Sequence, residues 1–155
     1  ELIAKMDEDC FVCGNGVALE QVVTNLVKNA VNYTPKDRDG SVTVTVAPEP
    51  GDKIMLSVKD TGIGIDQKDL FHIFEPFYRG DTSRARGIGT GTSGLGLAIV
   101  NEIVRLHKGG ITIRSTPGKG TEIRVILPAV GAKNLPDPLA NGNTNSTNEV
   151  SVDFS

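Results

Sequence analysis

Asn25, Asn29 and Asn32 recur at spacings of four and three residues. On a helix turning 100° per residue they fall within about 60° of one another, and Gln21 lengthens the stripe by a turn. Asparagine costs roughly 0.5–0.7 kcal/mol against alanine inside a helix. Three on one face repeat that cost with no evident packing return, whereas a solvated face normally carries Lys, Glu and Gln. A carboxamide offers a neutral oxygen, which suits Mg²⁺, a cation that takes few protein ligands and draws the rest from phosphate and water.

Asp60 poses a second chemical question. Counted by twos it shares a strand face with Ile54, Leu56 and Val58, so its carboxylate should be partly buried. That is costly unless it accepts hydrogen bonds, and the exocyclic amine of a purine is one suitable donor. Gly62 and Gly64 remove side chains where a flat ring would approach the backbone. The same residues would equally make an ordinary turn at a strand end. A third feature is the run from Gly89 to Leu97, rich in Gly, Thr and Ser and leading into a helix. Backbone N–H groups at a helix start favour phosphate. It is neither a Walker A loop nor a dinucleotide fingerprint, for it lacks the Gly-Lys-Ser/Thr ending and a βαβ setting.

Helix and strand periods supply the frame for these groups. Leu19, Val22, Val23, Leu26 and Ala30 make one apolar face of a helix from Ala18 to Tyr33, closed by Pro35. Val42, Val44 and Val46 alternate with polar residues, as do Ile54, Leu56 and Val58, predicting a hairpin turned at 48–53. Asp66 is placed to cap a short helix reaching about Phe74, with Asp69 three residues on in a box-like arrangement. From Arg79 to Ser93 the composition cannot supply a core and reads as a mobile loop. A second long helix runs from Gly94 to His107. Two further strands hold Ile111 and Ile113, then Ile123, Val125 and Leu127. The expected fold class is α+β, a two-layer sandwich with a mostly antiparallel mixed sheet and helices on one face. Residues 1–130 form the domain, and 131–155 read as a low-complexity, flexible tail.

Bulk composition narrows the functions. The 155 residues suit one domain, and a net charge of −3 argues against a nucleic-acid binder. No apolar run approaches the roughly 20 residues a membrane helix needs. The chain opens mid-pattern at Glu1 without a signal peptide and reads as a piece of a longer protein. Cys10 and Cys13 form a C-x-x-C, but zinc needs about four ligands. Cys10 to Cys13 reads as a strand with two ordinary reduced thiols.

In order and separation, these features resemble the catalytic domain of sensor histidine kinases. This domain is one branch of the ATPase group that includes gyrase, Hsp90 and MutL. The resemblance spans about Asp7 to Pro128. Leu19 to Ala30 is similar to the family's N box, and Asp60-Thr61-Gly62-Ile63-Gly64-Ile65 to its first glycine box. Phe71 to Arg79 resembles the F box that separates sensor kinases from the gyrase branch. Gly94 to Val100 resembles the second glycine box and Gly120-Thr121 the third.

The resemblance implies a Bergerat-type ATP-binding fold with a flexible lid, binding Mg-ATP. Asn29 would ligate Mg²⁺, and Asn25 would support metal-bound water or phosphate. Asp60 would accept from the adenine amino group, and Thr121 would reach adenine through water. Tyr33 would lie along the nucleotide, with Asn32, Gly62, Gly64, Ile65 and Leu95 also in the site. Arg79 would approach the terminal phosphates, and Gly91, Gly94 and Gly96 would let the lid close. The γ-phosphoryl group would go to a histidine on a separate dimerisation domain, and a response regulator would be an indirect partner. The fragment would be a monomeric cytoplasmic domain of a homodimeric parent, which can be an integral membrane sensor. The rivals are a gyrase- or Hsp90-like ATP hydrolase and a degenerate, non-catalytic module.

Three departures stand out. Asn32 replaces a commonly basic residue, a gap that Arg84 or Arg86 could fill; the lid runs long from Gly87 to Ser93; and Lys108 splits the usual His-Gly-Gly run. Glu20 lies about 150° from the centre of the asparagine stripe and should face away from the nucleotide. His72 and His107 read as structural, His107 suiting a helix C-terminus.

Overall fold

The computed structural model describes residues 1–7, 10–35, 39–80 and 93–130. The run from Arg84 through Arg86 and Gly91 lies outside the described residues, as does the tail 131–155.

Five strands form one sheet in the order β1-β2-β3-β5-β4. They are β1 (Leu2–Met6), β2 (Val42–Glu49), β3 (Lys53–Asp60), β4 (Gly110–Thr116) and β5 (Gly120–Pro128). The β2–β3 and β4–β5 pairs are antiparallel, as their hairpin patterns predict, and β3 also pairs antiparallel with β5. β1 pairs parallel with β2, Leu2 opposite Val42 and Met6 opposite Val46. No pattern announced β1, because an edge strand with Leu2 and Met6 exposed lacks an alternating buried face.

Two longer helices cover one face. Helix α1 (Gly16–Tyr33) starts two residues earlier than its apolar period implies. The Asn15 side chain caps it by accepting from the Ala18 N–H at 3.0 Å. Helix α3 (Gly96–Leu106) packs beside α1 and over β4. Leu19, Val22, Leu26 and Ala30 of α1 meet Val100, Ile103 and Val104 of α3 above Val58, Ile123 and Val125 of the sheet. The outer face is polar: Ser57 donates to Glu122 at 3.1 Å, and Glu122 pairs with Arg124.

Two expectations need correction. The helix expected to run to Phe74 is α2 (Gln67–Leu70), a single turn, and the Asp66 side chain makes no capping bond. Asp69 is turned inward onto Tyr78, so its carboxylate cannot complete a box. The chain continues in turns, His72 donating to Asp69 O and Glu75 to His72 O. Nor is the stretch from Cys10 to Cys13 a strand. Cys10 is buried in the core and Cys13 exposed, and the two form no disulfide. The backbone there is held from outside, by Val130 N–H donating to Phe11 O at 2.8 Å.

The ends of α1 and α3 are tied through His107. Its Nε2 accepts from the Asn15 N–H at 3.1 Å, and its Nδ1 sits 2.8 Å from Ile103 O. The imidazole therefore accepts at one nitrogen and donates at the other, clamping the N-terminus of α1 to the last turn of α3.

Candidate functional site

A cleft opens between the C-terminal end of α1, the C-terminal end of β3 and the start of β5. Asn29 and Tyr33 line it from α1, Asp60 from β3 and Thr121 from β5. Ile63, Gly64 and Ile65 follow Asp60 along the wall. Asp66, Asp69, Ile73, Tyr78, Arg79 and Gly80 close another side, with Leu97 from the first turn of α3.

Asp60 is 7% exposed and is part of the cleft lining. Its Oδ1 accepts from the Gly62 N–H at 2.8 Å and from the Thr121 N–H at 3.3 Å. Burial pushes its pKa above the ordinary 3.8, and the two backbone donors oppose that rise without cancelling it. The Thr121 approach depends on Gly120. At φ 109° this residue occupies a region that L side chains rarely adopt, and a Cβ there would collide with the Asp60 carbonyl.

The wall beyond Asp60 is stitched by backbone. Ile63 N–H donates to Tyr33 O at 3.1 Å, fixing the glycine turn to the last turn of α1. Ser115 of β4 accepts from the Ile65 N–H at 2.8 Å, and its hydroxyl lies 2.8 Å from that of Thr121. Sequence reading gave no site role to Ser115, Asp69, Tyr78, Ile63, Ile73 and Leu97. Asp69 and Tyr78 sit within short turns that carry no period, and Ser115 is one polar residue among several on an alternating strand.

The asparagine stripe divides. Asn29 lines the cleft, Asn25 lies beside Gly96, where an added Cβ would come 3.7 Å from its amide, and Asn32 is exposed and outside the lining. Asn25 Nδ2 is buried with no hydrogen-bond partner among the described residues. Gly62 is buried behind the wall, with Tyr33 O against it. Gly94, at φ 72°, accepts at its carbonyl from the Phe77 N–H, and Leu95 is the N-cap of α3. Glu20 is exposed on the other flank of α1, beside an apolar groove at the far end of the helix.

Residues 14–131 match the model of the histidine kinase-, DNA gyrase B- and HSP90-like ATPase family. The chain belongs to this family. Curated relatives of this ATPase domain include the sensor histidine kinase WalK of Bacillus subtilis (strain 168). It is 43% identical over 123 residues, which are 79% of this chain and 20% of WalK. The chain thus spans about a fifth of that relative's length. Among solved structures, the mycobacterial sensor histidine kinase MprB aligns with a TM-score of 0.69 at 27% identity, covering 84% of this chain and 83% of that one. Full-length ShkA in complex with AMPPNP aligns with a TM-score of 0.69 at 27% identity, covering 85% of this chain and 26% of ShkA. As a histidine kinase-, gyrase B- and HSP90-like ATPase domain, the chain has its sheet, helices and cleft in a shared fold.

The donor set suits a magnesium nucleotide. Among the described residues, no group of three or more His, Cys, Asp or Glu converges to hold a metal. The Asn29 amide oxygen is a neutral donor of the kind Mg²⁺ takes alongside phosphate and water. Beside the first turn of α3, Asn25 Nδ2 is a buried donor with no hydrogen-bond partner among the described residues. A buried amide in that state calls for a ligand or ordered water.

Proposed function

We propose that the chain binds Mg-ATP and donates the γ-phosphoryl group to a histidine on a separate domain of a two-component sensor kinase. One observation carries the reading most: a buried carboxylate, Asp60, and a helix carboxamide, Asn29, open into the same cleft. In this reading Asp60 accepts from the adenine amino group. The Thr121 hydroxyl, held by Ser115, stands beside it for a water-mediated contact. Tyr33, Ile63 and Ile65 flank the ring, Gly64 gives it backbone to lie against, and Gly62 holds Asp60 from behind the wall. Asn29 holds Mg²⁺, with Asn25 supporting water or phosphate near it. The bound metal supplies charge neutralisation at the phosphates. Arg79, Gly94, Leu95 and Gly96 serve the phosphate end in this reading, where helix N–H groups favour anions.

Phosphoryl transfer asks mainly for positioning and charge stabilisation. The P–O bond to ADP breaks as a P–N bond to the acceptor imidazole forms. The position one helical turn before Asn29 is Asn25, a poor base for activating water. Glu20 faces elsewhere. Both features favour holding ATP over hydrolysing it.

Calorimetric titration of the chain with AMPPNP and Mg²⁺ tests the first half. Wild type should bind; Asp60→Asn should weaken adenine nucleotides at least about tenfold, some 1.4 kcal/mol; Asn29→Ala should remove the Mg²⁺-dependent increment. Absence of binding in wild type, or equal affinity in Asp60→Asn, would sink the reading. Labelled γ-phosphate should then reach a histidine-bearing domain supplied in trans, while the chain alone stays unlabelled. A steady ATPase rate that disappears in Asn29→Ala, with no transfer, would favour a hydrolase instead.

A further inference from the structure

Asp69 is a buried carboxylate, 4% exposed, with no part in the reading above. Its two oxygens face different residues. Oδ1 accepts from the Tyr78 hydroxyl at 2.8 Å. Oδ2 lies so close to Gly80 that a Cβ there would come within 2.5 Å of it. Residues 78 and 80 flank Arg79, which lines the cleft. One carboxylate therefore holds the residue before that arginine by a hydrogen bond and packs against the glycine after it, a grip on both flanks.

The grip has more to do than fill a gap. Between α2 and Tyr78 the chain runs in turns, and hydrophobic burial does little to hold it: Phe71 is 81% exposed and Phe77 70%. Polar links replace burial. His72 Nδ1 lies 2.8 Å from Glu75 Oε1, the His72 ring rests 5.4 Å from the Tyr78 ring, and the Tyr78 N–H donates to Glu75 O. Each of these links is exposed or local. The Asp69–Tyr78 bond spans nine residues, is part-buried, and connects the loop to α2.

We propose that Asp69 is a positioning residue: through Tyr78 and Gly80 it sets the main chain of Arg79 and so holds the guanidinium at the cleft. The proposal rests on the ATP reading above, with Arg79 serving the terminal phosphates. Loss of the grip should then cost affinity for a triphosphate while sparing a monophosphate. A purely structural role would lower both alike.

AMPPNP and AMP, each with Mg²⁺, are titrated into the 155-residue chain as wild type, Tyr78→Phe, Gly80→Ala, Arg79→Ala and Tyr78→Phe/Arg79→Ala. Tyr78→Phe removes one hydroxyl; Gly80→Ala drives a methyl group against Oδ2 and leaves that hydroxyl in place. Each should weaken AMPPNP roughly three- to tenfold, a typical range for contacts in one network. AMP affinity should hold within about twofold, a free-energy change under about 0.5 kcal/mol. In the Arg79→Ala background, Tyr78→Phe should add nothing for AMPPNP. The proposal is overturned by equal losses for AMP and AMPPNP, by additive losses in the double variant, or by unchanged AMPPNP affinity in both single variants. If wild type binds neither nucleotide, the ATP reading falls and takes this proposal with it. If wild type binds and the variants match it, the positioning role alone falls.

Discussion

In the proposed reading, Asp60 serves binding at the expense of folding. Burial raises its pKa, so the folded state holds the proton more tightly than the unfolded chain does. For a group raised in this way, its contribution to stability is full below the unfolded pKa and is lost as pH rises through the folded one. At neutral pH the ionised carboxylate therefore costs stability. Asp60→Asn keeps an oxygen for the Gly62 and Thr121 donors and removes the charge. It should raise the unfolding midpoint at pH 7, and the gain should shrink as pH falls below the carboxylate range. Thermal scans at pH 7 and near pH 4 check this; a midpoint that drops at pH 7 would contradict it. A group that destabilises the apo domain and weakens nucleotide binding when neutralised is what an adenine acceptor should be. Alternation on β3 made the burial of Asp60 legible. Its second donor was not, because Thr121 lies 61 residues away and reaches it only through sheet pairing.

The elements meet at joints that can be broken one at a time. His107 joins the N-terminus of α1 to the last turn of α3, with Gly14 close against its ring. His107→Ala should lower stability by about 1 kcal/mol, the usual size of one net hydrogen bond, with the nucleotide cleft at the other end of α1 unchanged. Urea unfolding paired with AMPPNP titration reads both; an affinity loss would mean that the two ends of α1 are coupled. Gly120 is a harder joint. A β-carbon there collides with the Asp60 carbonyl, and φ 109° suits glycine alone. Gly120→Ala should both destabilise the domain and weaken adenine binding, whereas Gly118→Ala, with open space about its β-position, should spare the affinity. Sequence periods found α1, α3 and four strands, because each of these buries one face against the other layer. They overextended α2, whose side chains serve the loop that follows and not a helix face.

At the scale of the whole molecule, one core supports both layers. Leu26 is 1% exposed where α1 meets α3 and the sheet. Leu26→Ala should cost about 2–5 kcal/mol. That is a large share of the roughly 5–15 kcal/mol that holds a domain folded, so chemical denaturation should show an early transition and nucleotide binding should weaken with it. The sequence alone determined the layers, the hairpins, the asparagine helix and the Asp60 turn, because apolar periods and glycine positions are local properties of the chain. Tertiary structure decided what those elements share. It turned Asn29 into the cleft and left Asn32 in solvent, because α1 meets α3 along one side only. It added β1, an edge strand whose order comes from its partner. It also gave Asp69 its grip on the residues around Arg79. That contact joins a buried carboxylate to a loop without a period, and only the fold brings the two together.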